Sequence, residues 1–320
     1  MGKKKGGKPT MQSTEKLLAK LTKELGKQNF ITEDDLNKFM EENIIGNELD
    51  FDEEEQLTNS QKAQELVWDA WELEEPEDRV ELALKALQLD DNCADAYNLL
   101  AVDKAKSYLE TLNYYLKAIE AGKKTLGKDF AKFKGAFWGF HETRPYMRAM
   151  DGLAYTFLQS DQIEKAIDTW KEMLVLNPND NQGVRYNLIT VMLSVRKYKD
   201  VEKLISDFKD DASATWLYSK AYLFFNQNDK KPLATKALVK AMKFNPYVPL
   251  FIFGLKEMPE ELPEYIGFGD ENEAIEYVNS AVYLWGTNKK AFMWLVDTHK
   301  KNVEELDAII EKKEGKRKNI

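Results

Sequence analysis

The sequence predicts an all-α protein, an α-solenoid of helical hairpins with an insertion between repeats and a C-terminal capping helix. Three observations predict it. From residue 60 onward apolar residues fall at helical spacing in paired short segments. The pairs recur about every 34 residues, the period of stacked two-helix units. Small residues stand where paired helices cross, as at Ala154 and Ala166, because two helices approach closely only where one side chain is nearly absent. No such unit buries its apolar face alone, so the units stack into a continuous core.

Three segments follow from this reading: residues 1–58, partly helical or disordered; a repeat domain over 59–311 with an insertion at about 122–146; and a basic tail over 312–320. The first segment divides by charge. Residues 1–28 hold eight Lys against two Glu, whereas 32–58 hold eleven acidic residues against Lys38 alone. QSTEKLLAKLTKEL and TEDDLNKFMEENI have helical spacing, and Thr32 with Asp35 has the geometry of an acidic capping box. DFDEEE is not a calcium loop, because a loop opening at Asp50 has Glu55 where Gly is required and Gln61 where Glu is required. Residues 1–56 are expected to add little to the stability of the repeats.

Composition bounds the function. With 46 Lys+Arg against 55 Asp+Glu, the net charge of -9 argues against a body that coats nucleic acid or anionic lipid. The basic ends, Lys3, Lys4, Lys5 and Lys8 and the terminal KKEGKRKNI, read as solvated tails on an acidic body. MGKKKGGKPT is followed by no apolar stretch of the secretory type. The longest apolar run, YVPLFIFGL at 247–255, is far short of the roughly 20 residues of a spanning helix. A lone cysteine, Cys93, fits a reducing compartment, so the expected location is cytoplasmic.

The segment MRAMDGLAYTFLQSDQIEKAIDTWKEMLVLNPND (147–180) carries Leu153, Ala154, Phe157, Ala166, Trp170 and Pro178 at regular packing positions. It resembles the tetratricopeptide repeat without a gap. Further units begin near 184, with Leu188, Met192 and Val201, and near 214, with Trp216, Ala234, Ala241 and Pro246. Upstream, one unit has Tyr97, Leu100, Ala101, Tyr115 and Ala118, and the one before it has Ala83 and Ala86 but Arg79 where Ala is expected. NKKAFMWLVDTHKKNVEELDAII, from 288, reads as the cap, with Phe292, Leu295, Val296, Val303, Leu306 and Ile310 on one helical face.

A second resemblance covers the C-terminal half. Asn245, Pro246, Val248 and Pro249, followed by Gly269, Asp270, Glu273 and Ala274, are similar to the tail of the suppressor of tumorigenicity seven family. Physically, Asp270 caps a helix and Glu273 answers it three residues on. Asn and Gly in NPNDNQG at 177–183 turn the chain between repeats.

AFWGFHETRPYMRAM, at 136–150, closes the insertion. An H-E-x-x-H zinc motif would need a second histidine where Pro145 stands, and His299 is the only other histidine, so neither metal nor cofactor is expected. Thr143 is expected to cap the next helix, with Pro145 in its first turn. Trp138, His141, Glu142 and Arg144 are read as the seam of the insertion; an enzymatic pocket around His141, Glu142 and Arg144 is the alternative.

In this architecture the first helices of successive units form the inner surface. Carrying the tetratricopeptide groove positions across by register gives Asn98, Val102, Arg148, Asp151, Tyr155, Tyr186, Asn187, Leu217, Tyr218 and Ala221, with Arg185 just beside them. Aromatics and arginines are enriched at binding hot spots. The expected function is therefore a non-catalytic scaffold that holds a peptide or protein segment, with an acidic-aromatic ligand favoured by the arginines.

Overall fold

The structure, a computed structural model, describes residues 11–28, 32–43, 57–227 and 230–317, and among these there is helix and no strand. The chain forms two compact units, 1–182 and 183–320.

In the first unit, α1 (Met11–Gly26) and α2 (Glu33–Asn43) precede α3 (Asn59–Trp71), α4 (Pro76–Leu89), α5 (Ala94–Asp103) and α6 (Tyr108–Leu126). The short α7 (Phe130–Phe133) leads to α8 (Arg144–Gln159) and α9 (Ile163–Leu176). Helix α3 pairs with α4, α5 with α6 and α8 with α9, and α5 touches both α3 and α8. The hairpins thus pack in chain order.

Local chemistry sets the boundaries. Thr58 accepts from Gln61 N while the Gln61 side chain accepts from Thr58 N, which satisfies two backbone donors at the start of α3. Pro76 and Pro145 occupy first turns, where no N–H is needed. Thr32 and Asp35 exchange hydrogen bonds of 3.0 and 3.1 Å, as their spacing predicts. The alanines expected at crossings, Ala83, Ala86, Ala154 and Ala166, are fully buried. A Cβ on Gly152 would lie 2.2 Å from the ring of Tyr115, so α6 and α8 meet at this distance only over glycine. Arg79, the departure at an alanine position, grips Asp103 through Nε and Nη2 at 2.8 and 2.7 Å and donates to the carbonyls of Leu73 and Glu74. It ties the α3–α4 turn to the end of α5.

Two expectations need correction here. The first five residues of the anticipated insertion continue α6 to Leu126. Residues 1–56 were also expected to add little to the repeats, yet α1 packs on α3, and its Glu15 is only 1% exposed. The remaining insertion folds around Phe137, fully buried, with Phe130 and Tyr146 at 4.8 and 5.9 Å from its ring. The Lys3, Lys4, Lys5 and Lys8 cluster and DFDEEE lie outside the described residues.

The second unit holds α10 (Val184–Ser194), α11 (Tyr198–Asp207), α12 (Ala214–Asn226), α13 (Lys231–Phe244), α14 (Tyr247–Ile252), α15 (Glu271–Thr287), α16 (Lys289–Lys300) and α17 (Val303–Arg317). Helix α10 pairs with α11 and α12 with α13, while α14 packs on α15. The single capping helix expected from 288 is two helices. At the break, Asn302 Nδ2 donates to the carbonyl of Thr298 at 2.7 Å, a local bond that competes with the helical ladder. Val303 is consequently exposed, whereas Leu295 and Leu306 are buried. His299 lies on the apolar side as expected, with its ring edge-on to Phe253 at 5.3 Å. Burial lowers its pKa.

Candidate functional site

Helices α3, α5 and α8 of the first unit carry a buried polar cluster. Asp95, in the first turn of α5, is 1% exposed, and Asn98, one turn on, is 3% exposed. Arg148, one turn into α8, reaches Asp95 with Nε at 2.9 Å and Nη2 at 2.5 Å. The same guanidinium donates to Glu15 of α1, from Nη1 at 2.6 Å and Nη2 at 3.1 Å. Gln64 of α3 and Asn98 add donors to Asp95 at 3.1 and 3.0 Å, and Asn98 Nδ2 also reaches the carbonyl of Pro145. Arg144 Nη1 lies 3.4 Å from Glu15, and its Nε donates to the carbonyl of Trp138, whose ring it covers. Two guanidiniums thus face two carboxylates. Burial works against the charge on Arg148, but Asp95 and Glu15 more than offset it and raise its pKa.

The cluster fastens α1 across the hairpins. Lys16 adds a 2.9 Å ion pair to Asp69 of α3. Beneath α1 lies a cavity of about 390 Å³, lined among others by Glu15, Ala19, Lys20, Trp68, Cys93 and His141. His141 Nδ1 is 3.2 Å from Glu142, and burial, the largest influence, lowers its pKa, so the imidazole is neutral at pH 7. At the seam His141 and Glu142 pair, while Arg144 turns to Glu15 and Trp138. Thr143 occupies the cap position of α8 without capping it; its hydroxyl donates to the carbonyls of Phe137 and Phe140 instead. Among the described residues no group of three or more His, Cys, Asp or Glu could hold a metal ion.

The other positions anticipated for a groove have varied surroundings. On α5 and α8, Val102 is 59% exposed and Tyr155 39%. They continue the stripes Asp95, Asn98, Val102 and Arg148, Asp151, Tyr155, at helical spacing from the cluster. Asp151 is half-buried and accepts from Trp170 Nε1 at 2.9 Å. In the second unit Arg185 is 2.8 Å from Asp211 and 4.2 Å over the ring of Tyr186, with Phe208 and Trp216 on other sides. Tyr186 donates to Asp211, and its own pKa is pushed up to about 12, chiefly by burial. Asn187 and Leu217 are half-buried. Tyr218 is fully buried, donates to the carbonyl of Asn245 at 2.8 Å and stacks on Tyr277. It offers no surface to a ligand, which corrects its place in the expected groove. Periodicity missed Glu15 and Asp95; the only signals were a glutamate in a lysine-rich helix and an acid opening α5.

Burial raises the pKa of Asp151, with the Trp170 hydrogen bond opposing it and Asp180 adding to it. A carboxyl whose folded pKa is raised destabilises the fold in full above that pKa; the effect shrinks as pH falls through it and is gone below the unfolded value. Asp151→Asn keeps an acceptor for Trp170 without the charge. It should raise the thermal midpoint at pH 7 by a few degrees, a gain that disappears below about pH 3.5.

In the second unit a further buried cluster joins both halves of the C-terminal motif. Glu273, 6% exposed, accepts from Ala214 N through Oε1 at 2.9 Å, and from Asn245 Nδ2 and Gly269 N through Oε2 at 3.0 and 2.7 Å. Asp270 caps α15 as expected, but Glu273 answers Gly269 N and not Asp270 N. Gly269 has φ 72, and a Cβ there would lie 2.9 Å from the carbonyl of Phe244.

These features define an all-helical protein of successive hairpins with buried hydrogen-bonded clusters. The chain belongs to the ST7 protein family, whose model matches residues 49–315, a wider span than the C-terminal motifs covered. It is 24% identical over 247 residues to a suppressor of tumorigenicity 7 protein-like from Gallus gallus, covering 68% of this chain and 43% of the relative. It is 24% identical over 241 residues to the Homo sapiens protein of that name, covering 68% and 41%, and 22% identical over 263 residues to the ST7 homolog of Caenorhabditis elegans, covering 69% and 48%. The matches span less than half the length of these relatives. Their names describe no enzymatic activity. Among the described residues no helix is long and apolar enough to cross a membrane.

Proposed function

We propose that the chain is a non-catalytic, cytoplasmic protein-interaction scaffold, a tetratricopeptide-like solenoid that holds a peptide or protein segment on the first helices of its hairpins. One observation carries this reading: α1 lies on α3, and its Glu15 is clamped by Arg148 and Arg144 of α8 and shares that arginine with Asp95 of α5. The stripe that binds it runs on to the exposed Val102 and Tyr155. These two positions are the ones to change, because neither belongs to the buried cluster.

Val102→Asp combined with Tyr155→Ala should reduce capture of a native partner more than tenfold, at the scale of a lost hot spot, with unchanged circular dichroism. His141→Ala should leave capture intact. Normal capture by the double variant defeats the reading, as does a turnover that His141→Ala abolishes.

A further inference from the structure

We propose that the seat of α1 is an exchange site for an amphipathic helix of a partner, with the pattern Glu-Lys-x-x-Φ where Φ is a large apolar residue, and that α1 is its resident, imperfectly fitted competitor. The proposal rests on the scaffold reading and names the ligand class of that surface. The first half of the pattern is what α1 already shows: Glu15 on Arg148 and Arg144, and Lys16 on Asp69. Both anchors are ionic, and only Glu15 is fully buried among the described α1 side chains.

The second half follows from what α1 leaves unfilled. Ala19 stands at i+4 from Glu15, on the same helical face, and its methyl group borders the cavity of about 390 Å³. Trp68, 8% exposed, lines that cavity. The cavity opens to solvent beside α1, so the side chains that line it lack packed neighbours on that side. A methionine or leucine at i+4 reaches into this space, where apolar contact replaces missing neighbours. The Glu-to-Φ spacing keeps the carboxylate on the arginines while the larger side chain enters the cavity.

The probe is a fluorescent peptide with the sequence of residues 11–28, prepared with Ala19 and with Ala19→Met. The receptor is the full chain, as wild type and as Glu15→Ala, which loses the anchor of its own α1 while Arg148 keeps Asp95. A tethered helix competes at high effective concentration. The Met peptide should therefore bind the Glu15→Ala chain at least tenfold more tightly than wild type, and severalfold more tightly than the Ala19 peptide does. A peptide that also carries Glu15→Ala should not bind. Equal binding to both chains, or binding indifferent to the peptide's Glu15, overturns the proposal, as does no binding to a folded Glu15→Ala chain. In the intact chain Ala19→Met should raise the thermal midpoint; a fall shows that the cavity does not accept the side chain. Loss of partner capture on Val102→Asp with Tyr155→Ala, together with no peptide binding, would sink the exchange site alone and leave the scaffold reading standing.

Discussion

Arg148→Ala should lower the thermal midpoint of the unit formed by residues 1–182 more than any other single change in its polar cluster. The guanidinium is the common partner of Asp95 and Glu15, each 1% exposed. Its removal leaves Asp95 with Gln64 and Asn98, and Glu15 with Arg144 at 3.4 Å. Removing one partner from a buried ion pair costs about 3–5 kcal/mol, because the charge left behind is neither solvated nor compensated. At about 2–4 °C per kcal/mol for a body of this size, the shift is roughly 6–20 °C. Arg148→Lys should fall in between, since an ammonium cannot serve two carboxylates with the planar fork of a guanidinium. Glu15→Ala should be mildest, because it removes a charge and leaves Arg148 on Asp95. Scanning calorimetry gives the order directly; an Arg148→Ala loss no larger than that of Glu15→Ala would show that Asp95 does not depend on this arginine. Weaker partner capture by Arg148→Ala is therefore uninformative unless the variant is shown to be folded.

The sequence exposes what is local and periodic. The hairpins could be read because apolar residues repeat with the helix and the pairs repeat with the unit, and Ala83, Ala86, Ala154 and Ala166 are buried where crossings demand small residues. The Thr32–Asp35 box and the Asp270 cap could be read because three-residue spacing alone determines them. What could not be read depends on contacts distant in sequence. Glu15 meets Arg148 across 133 residues, and nothing in the amphipathic pattern of α1 says where its face lies. Arg79 looked like a flaw in a repeat until Asp103 stood opposite it. Thr143 has the right residue type at the right place, but the carbonyls of Phe137 and Phe140, made available by the preceding insertion, take its hydroxyl. Tyr218 fits a groove register and is buried all the same, because Tyr277 and the carbonyl of Asn245 cover it.

Glu273→Gln should be the most damaging near-isosteric change in the unit formed by residues 183–320. Glu273 is surrounded by donors alone: Ala214 N at one oxygen, Asn245 Nδ2 and Gly269 N at the other. A glutamine can keep one of these oxygens, but its amide nitrogen then points N–H groups at N–H groups, whichever way it is turned. The Asn245 side chain cannot turn to compensate, since its Nδ2 also donates to the carbonyl of Asp270 and its Oδ1 accepts from Tyr247 N. Each buried donor left without an acceptor costs about 1–3 kcal/mol, so a loss of about 2–6 kcal/mol is expected from two. Gly269 is held in place as well, because its carbonyl accepts from Lys313 Nζ at 2.5 Å. The control is Glu276→Gln, an exposed site on the same helix, which should leave the midpoint unchanged. Near-ultraviolet dichroism and thermal unfolding of the two variants decide the matter: matching midpoints would mean that the motif residues Asn245, Gly269 and Glu273 do not act as one hydrogen-bonded lock.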